Sequence, residues 1–85
     1  MPEISRFFGI TIMMFYSDHN PPHFHVFYNE QSGIIEIKSK ISHGNLSSRV
    51  RKIVLEWTCI NENALLENWE LARQSKTLKK IKPLE

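Results

Sequence analysis

Three of the four histidines in this 85-residue chain lie in one short segment, DHNPPHFH. His23 and His25 are separated by one residue, so on a β-strand both imidazoles project from the same face. Two imidazoles at this spacing can bind one metal ion, with Asp18, His19 or Glu36 as further ligands. A histidine–carboxylate set with an open position suits zinc, manganese or iron. We therefore take His23 and His25 as candidate metal ligands.

The same side chains also permit acid–base chemistry without a metal. A carboxylate from Glu36 beside His25 would fix the imidazole tautomer and raise its pKa. Ribonucleases that work without metal need a base, an acid and a cation near the scissile phosphate, and Tyr16, Tyr28 and Arg6 are available to complete such a site. The candidate catalytic residues are Asp18, His19, His23, His25 and Glu36.

A purely structural role accounts for the same segment. The two strand histidines would line the less buried face of a sheet and pair with Glu36. Asp18 and Asn20 would satisfy the backbone of a proline-stiffened turn. A nucleic-acid surface is a further alternative, although aromatic residues at strand and helix spacing are more often part of the core. The residues alone leave these alternatives open.

The first half of the chain has the pattern of short β-strands. Residues 9–16 are apolar, β-branched and aromatic, and residues 23–28 and 33–40 continue the pattern. Short connections between them predict an antiparallel meander, to which residues 3–8 add an optional edge strand. Residues 29–32 form the predicted loop before the third strand, with a glycine available for positive φ.

Matching the apolar faces of the second and third predicted strands sets their register. The simplest choice places Val26 opposite Ile35 and His25 opposite Glu36. A shift by two residues keeps the same faces and changes every partner.

The second half of the chain favours helix. Between Ser48 and Gln74 there is no glycine or proline, and Leu, Glu, Arg and Ala are frequent. One continuous helix with Asn45 or Ser47 as its cap explains the apolar periodicity. A break near Asn61 is the alternative, because asparagine favours turns. The predicted buried stripe is Val50, Ile53, Val54, Trp57, Ile60, Ala64, Leu65, Leu71 and Ala72.

A second apolar set lies away from this stripe. Because a small sheet covers only one side of a long helix, either the C-terminal tail and helix bending or a protein partner would cover this set. Its members are Leu55, Cys59, Leu66 and Trp69. The predicted tail anchors are Leu78, Ile81 and Leu84.

Together the elements predict one α+β domain over residues 1–85. Residues 1–44 would form a three- to four-stranded antiparallel meander, residues 45–75 one long helix packed on it, and residues 76–85 an extended tail.

The composition gives little indication of a binding partner. The net charge of +2 permits RNA or DNA binding but is too small to favour it. One cysteine excludes an intramolecular disulfide. The sequence has no signal-peptide pattern and no apolar segment long enough to span a membrane, so we predict a cytoplasmic location. The sequence does not decide whether the protein forms a homo-oligomer.

The sequence resembles the bacterial domain of unknown function 4160 family over essentially its whole length. The resemblance rests on ISRFFGI, DHNPPHFH, LEW, LLENWELAR and KKIKPL. Ser75 stands where the usual member has a glycine, which bears on the helix C-cap. The residues that belong to the family's own signature are Asp18, His19, Pro21, Pro22, His23 and His25.

The resemblance implies a function only by association. Genes of that family often lie beside genes of the domain of unknown function 2442 family, which resembles an antitoxin or a DNA-binding partner. The chain would then be the toxin-like half of a toxin–antitoxin pair that acts through protein binding, with the second apolar set and the basic tail as its partner surface. The alternative is a small RNase-like hydrolase or a metal-binding protein that uses the histidines, with zinc or manganese as the ion.

Overall fold

The computed structural model describes residues 2–16 and 18–85, which form a five-stranded sheet and two helices. The order of the strands in the sheet is their order in the sequence, and every neighbouring pair is antiparallel. The predicted α+β meander is therefore confirmed. The strands are β1 (Glu3–Phe7), β2 (Ile10–Met13), β3 (His23–Tyr28), β4 (Gln31–Glu36) and β5 (Ser42–Gly44), and the helices are α1 (Ser48–Ile60) and α2 (Glu62–Arg73).

The core lies between one face of the sheet and the helices, with Trp57 near its centre. The indole of Trp57 is fully buried and lies against the rings of Phe7 and Phe24, with ring centroids 5.2 and 5.7 Å away. Its Nε1 donates a 2.9 Å hydrogen bond to the carbonyl of Lys82, so the polar edge of the ring is also satisfied. Neither described helix is long and apolar enough to cross a membrane.

A two-residue turn joins β3 to β4, in place of the predicted four-residue loop. Tyr28 pairs with Gln31, and Asn29 adopts the positive φ of 52° that the prediction gave to Gly33. Asparagine tolerates this conformation better than most residues, because its short polar side chain can bond locally. The third predicted strand accordingly begins and ends earlier, at Gln31 and Glu36.

The tight turn shifts the register of β3 and β4 by two residues from the predicted one. His23 pairs with Glu36 and His25 pairs with Ile34, so the predicted pairing of His25 with Glu36 is wrong. The predicted faces are retained, because a shift of two preserves the alternation of side chains. Val26 lies opposite Gly33 and remains fully buried on the core side.

The fifth strand lies beyond the strands that the sequence pattern predicted. β5 is only three residues long and contains serine, histidine and glycine, which carry little strand propensity. It pairs because Gly33 and Gly44 allow close backbone approach. A Cβ on Gly33 would lie 2.6 Å from the carbonyl oxygen of His43. The predicted count of three to four strands is therefore too low, although the optional edge strand is present as β1.

The predicted single helix over residues 45–75 is also wrong, and the alternative of a break at Asn61 is correct. Asn61 leaves the helical conformation at φ −113° and ψ 22°, and its side-chain amide donates to the carbonyl of Trp57 at 2.9 Å. Asparagine competes for backbone hydrogen bonds in this way and so interrupts helices. At the other end of α1, the hydroxyl of Ser47 accepts from the amide of Val50, as an N-cap should.

The buried face continues from α1 into α2 in spite of the break. Ile60, predicted within the buried stripe, is 68% exposed, and Ala64 is exposed as well. The buried residues recur at the spacing of a single helical face on both sides of Asn61. They are Val50, Val54, Trp57 and Thr58 in α1 and Leu65, Asn68, Trp69 and Ala72 in α2.

Ser75 closes the second helix although it is not a glycine. It adopts a left-handed φ of 56°. Its amide donates to the carbonyl of Ala72, and the amide of Lys76 donates to the carbonyl of Leu71, at 3.1 and 2.9 Å. These two bonds form a Schellman motif, so the serine makes the cap that is usually made by glycine.

The C-terminal tail passes alongside the edge strand β1, a position that the sequence pattern did not predict. The amide of Ile81 donates to the carbonyl of Ile4 at 2.8 Å, and the hydroxyl of Ser5 donates to the carbonyl of Ile81 at 3.0 Å. Ile81 is buried, and the other two predicted anchors, Leu78 and Leu84, pack against the core. The tail therefore satisfies backbone groups that an edge strand otherwise exposes.

Asn68 fastens the tail to α2, and its removal should destabilise the fold. Its buried carboxamide bonds both the carbonyl and the amide of Lys79, at 2.8 and 2.9 Å. Asn68→Ala leaves both backbone groups unpaired, so we expect the free energy of unfolding in urea to fall by roughly 1–3 kcal/mol. Asn63→Ala alters an exposed amide of the same helix and should change it by less than about 0.5 kcal/mol. If both substitutions lowered the free energy of unfolding equally, the hydrogen bonds of Asn68 to the tail would not be the cause of its effect.

Candidate metal centre

Folding brings three of the predicted site residues together around one point. Oδ2 of Asp18 lies 2.9 Å from Nε2 of His23 and 3.4 Å from Nε2 of His25. One donor atom from each residue lies within 4.8 Å of those of the other two. The expected common face of His23 and His25 is therefore present, and the aspartate folds over it.

The start of β3 and the turn before it position these side chains. The carbonyl of Pro22 accepts from the amide of Ile37 at 3.0 Å, which holds the turn to the residue that follows β4. Within the turn, Oδ1 of Asp18 accepts the backbone N–H of His19 at 2.9 Å, so Oδ2 is left for the strand histidines. The carboxylate is only 18% exposed, whereas the His19 side chain is 85% exposed, with Nδ1 lying 3.0 Å from Oδ1.

The hydrogen bonds of His23 determine which of its nitrogens carries a proton. Nδ1 lies 2.7 Å from the carbonyl oxygen of Pro21, and because a carbonyl can only accept, Nδ1 must donate. In a neutral ring Nε2 then presents a lone pair to the carboxylate of Asp18, which is also an acceptor. Two lone pairs at 2.9 Å repel unless a cation lies between them, and that cation is either a proton or a metal ion.

The electrostatics keep Asp18 charged and His25 neutral near pH 7. Burial acts to raise the pKa of Asp18, but the hydrogen bond from the His19 amide and the interactions with His23 and His25 outweigh it and lower the pKa. Burial lowers the pKa of His25, against the opposing effect of the Asp18 carboxylate. An ionised carboxylate and a neutral imidazole are the protonation states that metal binding requires.

The spacing of the donor atoms suits a shared ion. Two donors that each lie about 2.1 Å from a metal are separated by roughly 3.0–3.4 Å, depending on the coordination angle. The 3.4 Å separation lies at the upper end of this range, and the 2.9 Å separation lies just below its lower end. The bond from His23 Nδ1 to a backbone carbonyl is also the usual outer contact of a metal-bound histidine, since it fixes the ring and its tautomer.

Glu36, the remaining predicted site residue, lies beside the cluster and has other partners. Its carboxylate accepts from Nε2 of His43 at 2.9 Å and from the hydroxyl of Ser39 at 2.8 Å. These two hydrogen bonds lower the pKa of Glu36. His43 was not among the predicted site residues. It is the fourth histidine of the chain, but its position beside Glu36 depends on β5, which was not predicted.

The second apolar set does not form one exposed surface. Trp69 is only 3% exposed, and its ring lies 5.2 Å from the ring of His23. Leu55 and Leu66 pack against the core, and Cys59 is exposed. Trp69 is buried because helical spacing places it on the same face as the buried Thr58 and Leu65. A partner role for these four residues stays a prediction.

Comparison with known proteins identifies a family. The model of a family described as Domain of unknown function (DUF4160) matches residues 9–70. No match was found among curated proteins, and none among solved structures. The matched span includes the whole candidate metal cluster and most of both helices. The chain therefore belongs to the domain of unknown function 4160 family.

Proposed function

We propose that this protein binds a divalent transition-metal ion through Oδ2 of Asp18, Nε2 of His23 and Nε2 of His25. The observation that carries the proposal is the 2.9 Å approach of His23 Nε2 to the Asp18 carboxylate while Nδ1 donates to Pro21. A bound ion would accept the lone pairs of His23 Nε2 and Asp18 Oδ2, which otherwise repel each other. The near-complete burial of His23, at 4% exposed, makes an uncompensated contact of this kind costly.

The ligand set limits the identity of the ion. Two imidazoles and one carboxylate suit zinc, manganese and iron, whereas calcium and magnesium prefer oxygen ligands. Three protein ligands leave at least one coordination position for water or substrate, as in catalytic rather than structural zinc sites. The proposal therefore favours an ion that takes part in chemistry over one that only stabilises the fold.

The tag-free protein, treated with chelator and dialysed, should bind one equivalent of Zn²⁺ in a calorimetric titration. Mn²⁺ should bind more weakly, because affinity for such sites rises from manganese to zinc. Zinc at 100 times Kd should stabilise the fold by about 2.7 kcal/mol, which raises the melting temperature by roughly 10–20 °C in a domain of this size. Absence of both binding heat and a thermal shift would contradict the proposal.

A toxin-like role in a toxin–antitoxin pair is a separate hypothesis. It rests on the family resemblance and on gene neighbourhood, and the predicted partner is a protein like the domain of unknown function 2442 family. Metal binding neither requires nor excludes it.

A further inference from the structure

The sheet face that carries the metal ligands continues across three strands. His25 pairs with Ile34, and Ile34 pairs with His43 on β5. Residues directly opposite one another in antiparallel strands project to the same side. The imidazoles of His25 and His43 therefore flank Ile34 on one surface, and His23 lies on the same side because it alternates with Phe24.

Two adjoining cavities follow this surface. The small cavity, of about 140 Å³, is lined by His19, Pro21, His23, Ile34, Glu36 and His43. The large cavity, of about 330 Å³, includes His25, Phe27, Ser32, Ile34 and His43 in its lining. They share Ile34 and His43, and each borders one of the histidine ligands of the proposed metal.

The linings differ in the groups that they would bind. The small cavity borders His23, whose proposed metal ion would attract anionic oxygens, and its one carboxylate, Glu36, is already paired with His43 and Ser39. The large cavity presents the ring of Phe27, which stacks parallel to His25 at 6.4 Å. An aromatic wall of this kind suits a flat heterocycle. A flat heterocycle linked through a sugar to a phosphate ester is a nucleotide.

We propose that this face binds a nucleotide unit as a substrate, with its base against Phe27 in the large cavity and its phosphate ester in the small cavity beside the metal ligands. The inference rests on the proposed metal binding, since the ion would neutralise charge on the phosphoryl oxygens. RNA, DNA and free nucleotides share this chemistry.

The Glu36–His43 pair gives this site a base for hydrolysis. Because the carboxylate can only accept, Nε2 of His43 carries the hydrogen at the 2.9 Å contact and Nδ1 keeps a lone pair. As the oxygen of a water molecule bonds to phosphorus, Nδ1 takes one of its protons and the bond from phosphorus to the ester oxygen breaks. The leaving alkoxide takes a proton from solvent. His43 later releases to solvent the proton that it took from the attacking water. Glu36 acts as a positioning residue that fixes the tautomer.

The test uses the zinc- or manganese-loaded full chain and three phosphodiesters: a fluorescent single-stranded RNA, the DNA of the same sequence, and bis(p-nitrophenyl) phosphate. His43→Gln should lower kcat about 100-fold while KM and the metal Kd stay within about twofold. Glu36→Gln should also lower kcat, but less, since the base remains. His43 is 57% exposed, so its replacement should leave the fold intact, which circular dichroism verifies.

A second substitution tests the base-binding cavity. Phe27→Ala should raise KM for the oligonucleotides by about tenfold or more, because the base would lose the aromatic ring on which it stacks. Phe8→Ala is the matched control, since it removes an aromatic ring that is 61% exposed in the β1–β2 turn. It should leave every kinetic constant unchanged.

The outcomes separate this inference from the metal proposal. Wild-type protein that binds zinc but neither hydrolyses any of the three esters nor binds adenosine monophosphate would overturn the nucleotide site and leave the metal site standing. Protein that binds no metal would overturn both. Cleavage of RNA alone, of DNA alone, or of the small ester with adenosine monophosphate binding supports the inference and identifies the source of the nucleotide unit.

Discussion

Asp18→Asn should abolish tight metal binding while leaving the fold intact. The amide has nearly the shape of the carboxylate, and its oxygen can still accept the N–H of His19. It lacks the negative charge, however, and presents a weaker donor atom to the ion. Loss of an outer contact to a metal ligand already costs 10–100-fold in affinity, so loss of a charged ligand should raise the Kd for Zn²⁺ by more than about 100-fold.

The matched control is Glu30→Gln, which makes the same change of charge in the exposed β3–β4 turn. Its Kd for Zn²⁺ should equal that of the wild type. Calorimetry of the two variants, with circular dichroism to verify the fold, distinguishes a specific ligand from the general effect of net charge. Wild-type affinity in Asp18→Asn would show that the aspartate does not bind the ion.

The metal cluster was partly predictable because strand alternation is local. The spacing of His23 and His25 was enough to place both rings on one side of β3. The position of Asp18 depends on the path of a turn before the strand, and a pattern of side chains does not encode that path. The pairing of Glu36 with His43 depends on a three-residue strand whose composition carries no strand signal.

In the fold, too, local sequence patterns predicted the type of each element, whereas contacts between distant residues decided how the elements pair. Alternating apolar residues predicted the meander, and the glycine-free second half predicted helix. The register of β3 and β4 was not fixed by the apolar pattern, since a shift of two residues preserves it, and a turn at Asn29 decided between the two. Likewise the helical pattern left a break at Asn61 as one of two alternatives, and the side-chain hydrogen bond from Asn61 to the carbonyl of Trp57 accompanies the break.

Trp57→Ala should produce the largest loss of stability of any single substitution considered. The side chain is fully buried, and its removal leaves a cavity beside Phe7 and Phe24. Large aromatic to alanine changes in cores cost about 3–5 kcal/mol. The lost hydrogen bond to the Lys82 carbonyl adds roughly 1 kcal/mol. Because small domains are stable by only about 5–15 kcal/mol, we expect partial or complete unfolding at 37 °C.

Chemical denaturation followed by circular dichroism measures the effect of Trp57→Ala, and Ile60→Ala is its control. Ile60 lies on the same helix and is 68% exposed, so its truncation should change the free energy of unfolding by less than about 0.5 kcal/mol. Trp57→Phe retains part of the ring and should fold with intermediate stability. Because Trp57 contacts β3 on the side opposite the histidines, the folded Trp57→Phe protein should bind zinc with the wild-type Kd. A Kd raised in proportion to the loss of stability would show that core packing and the metal cluster are coupled through β3.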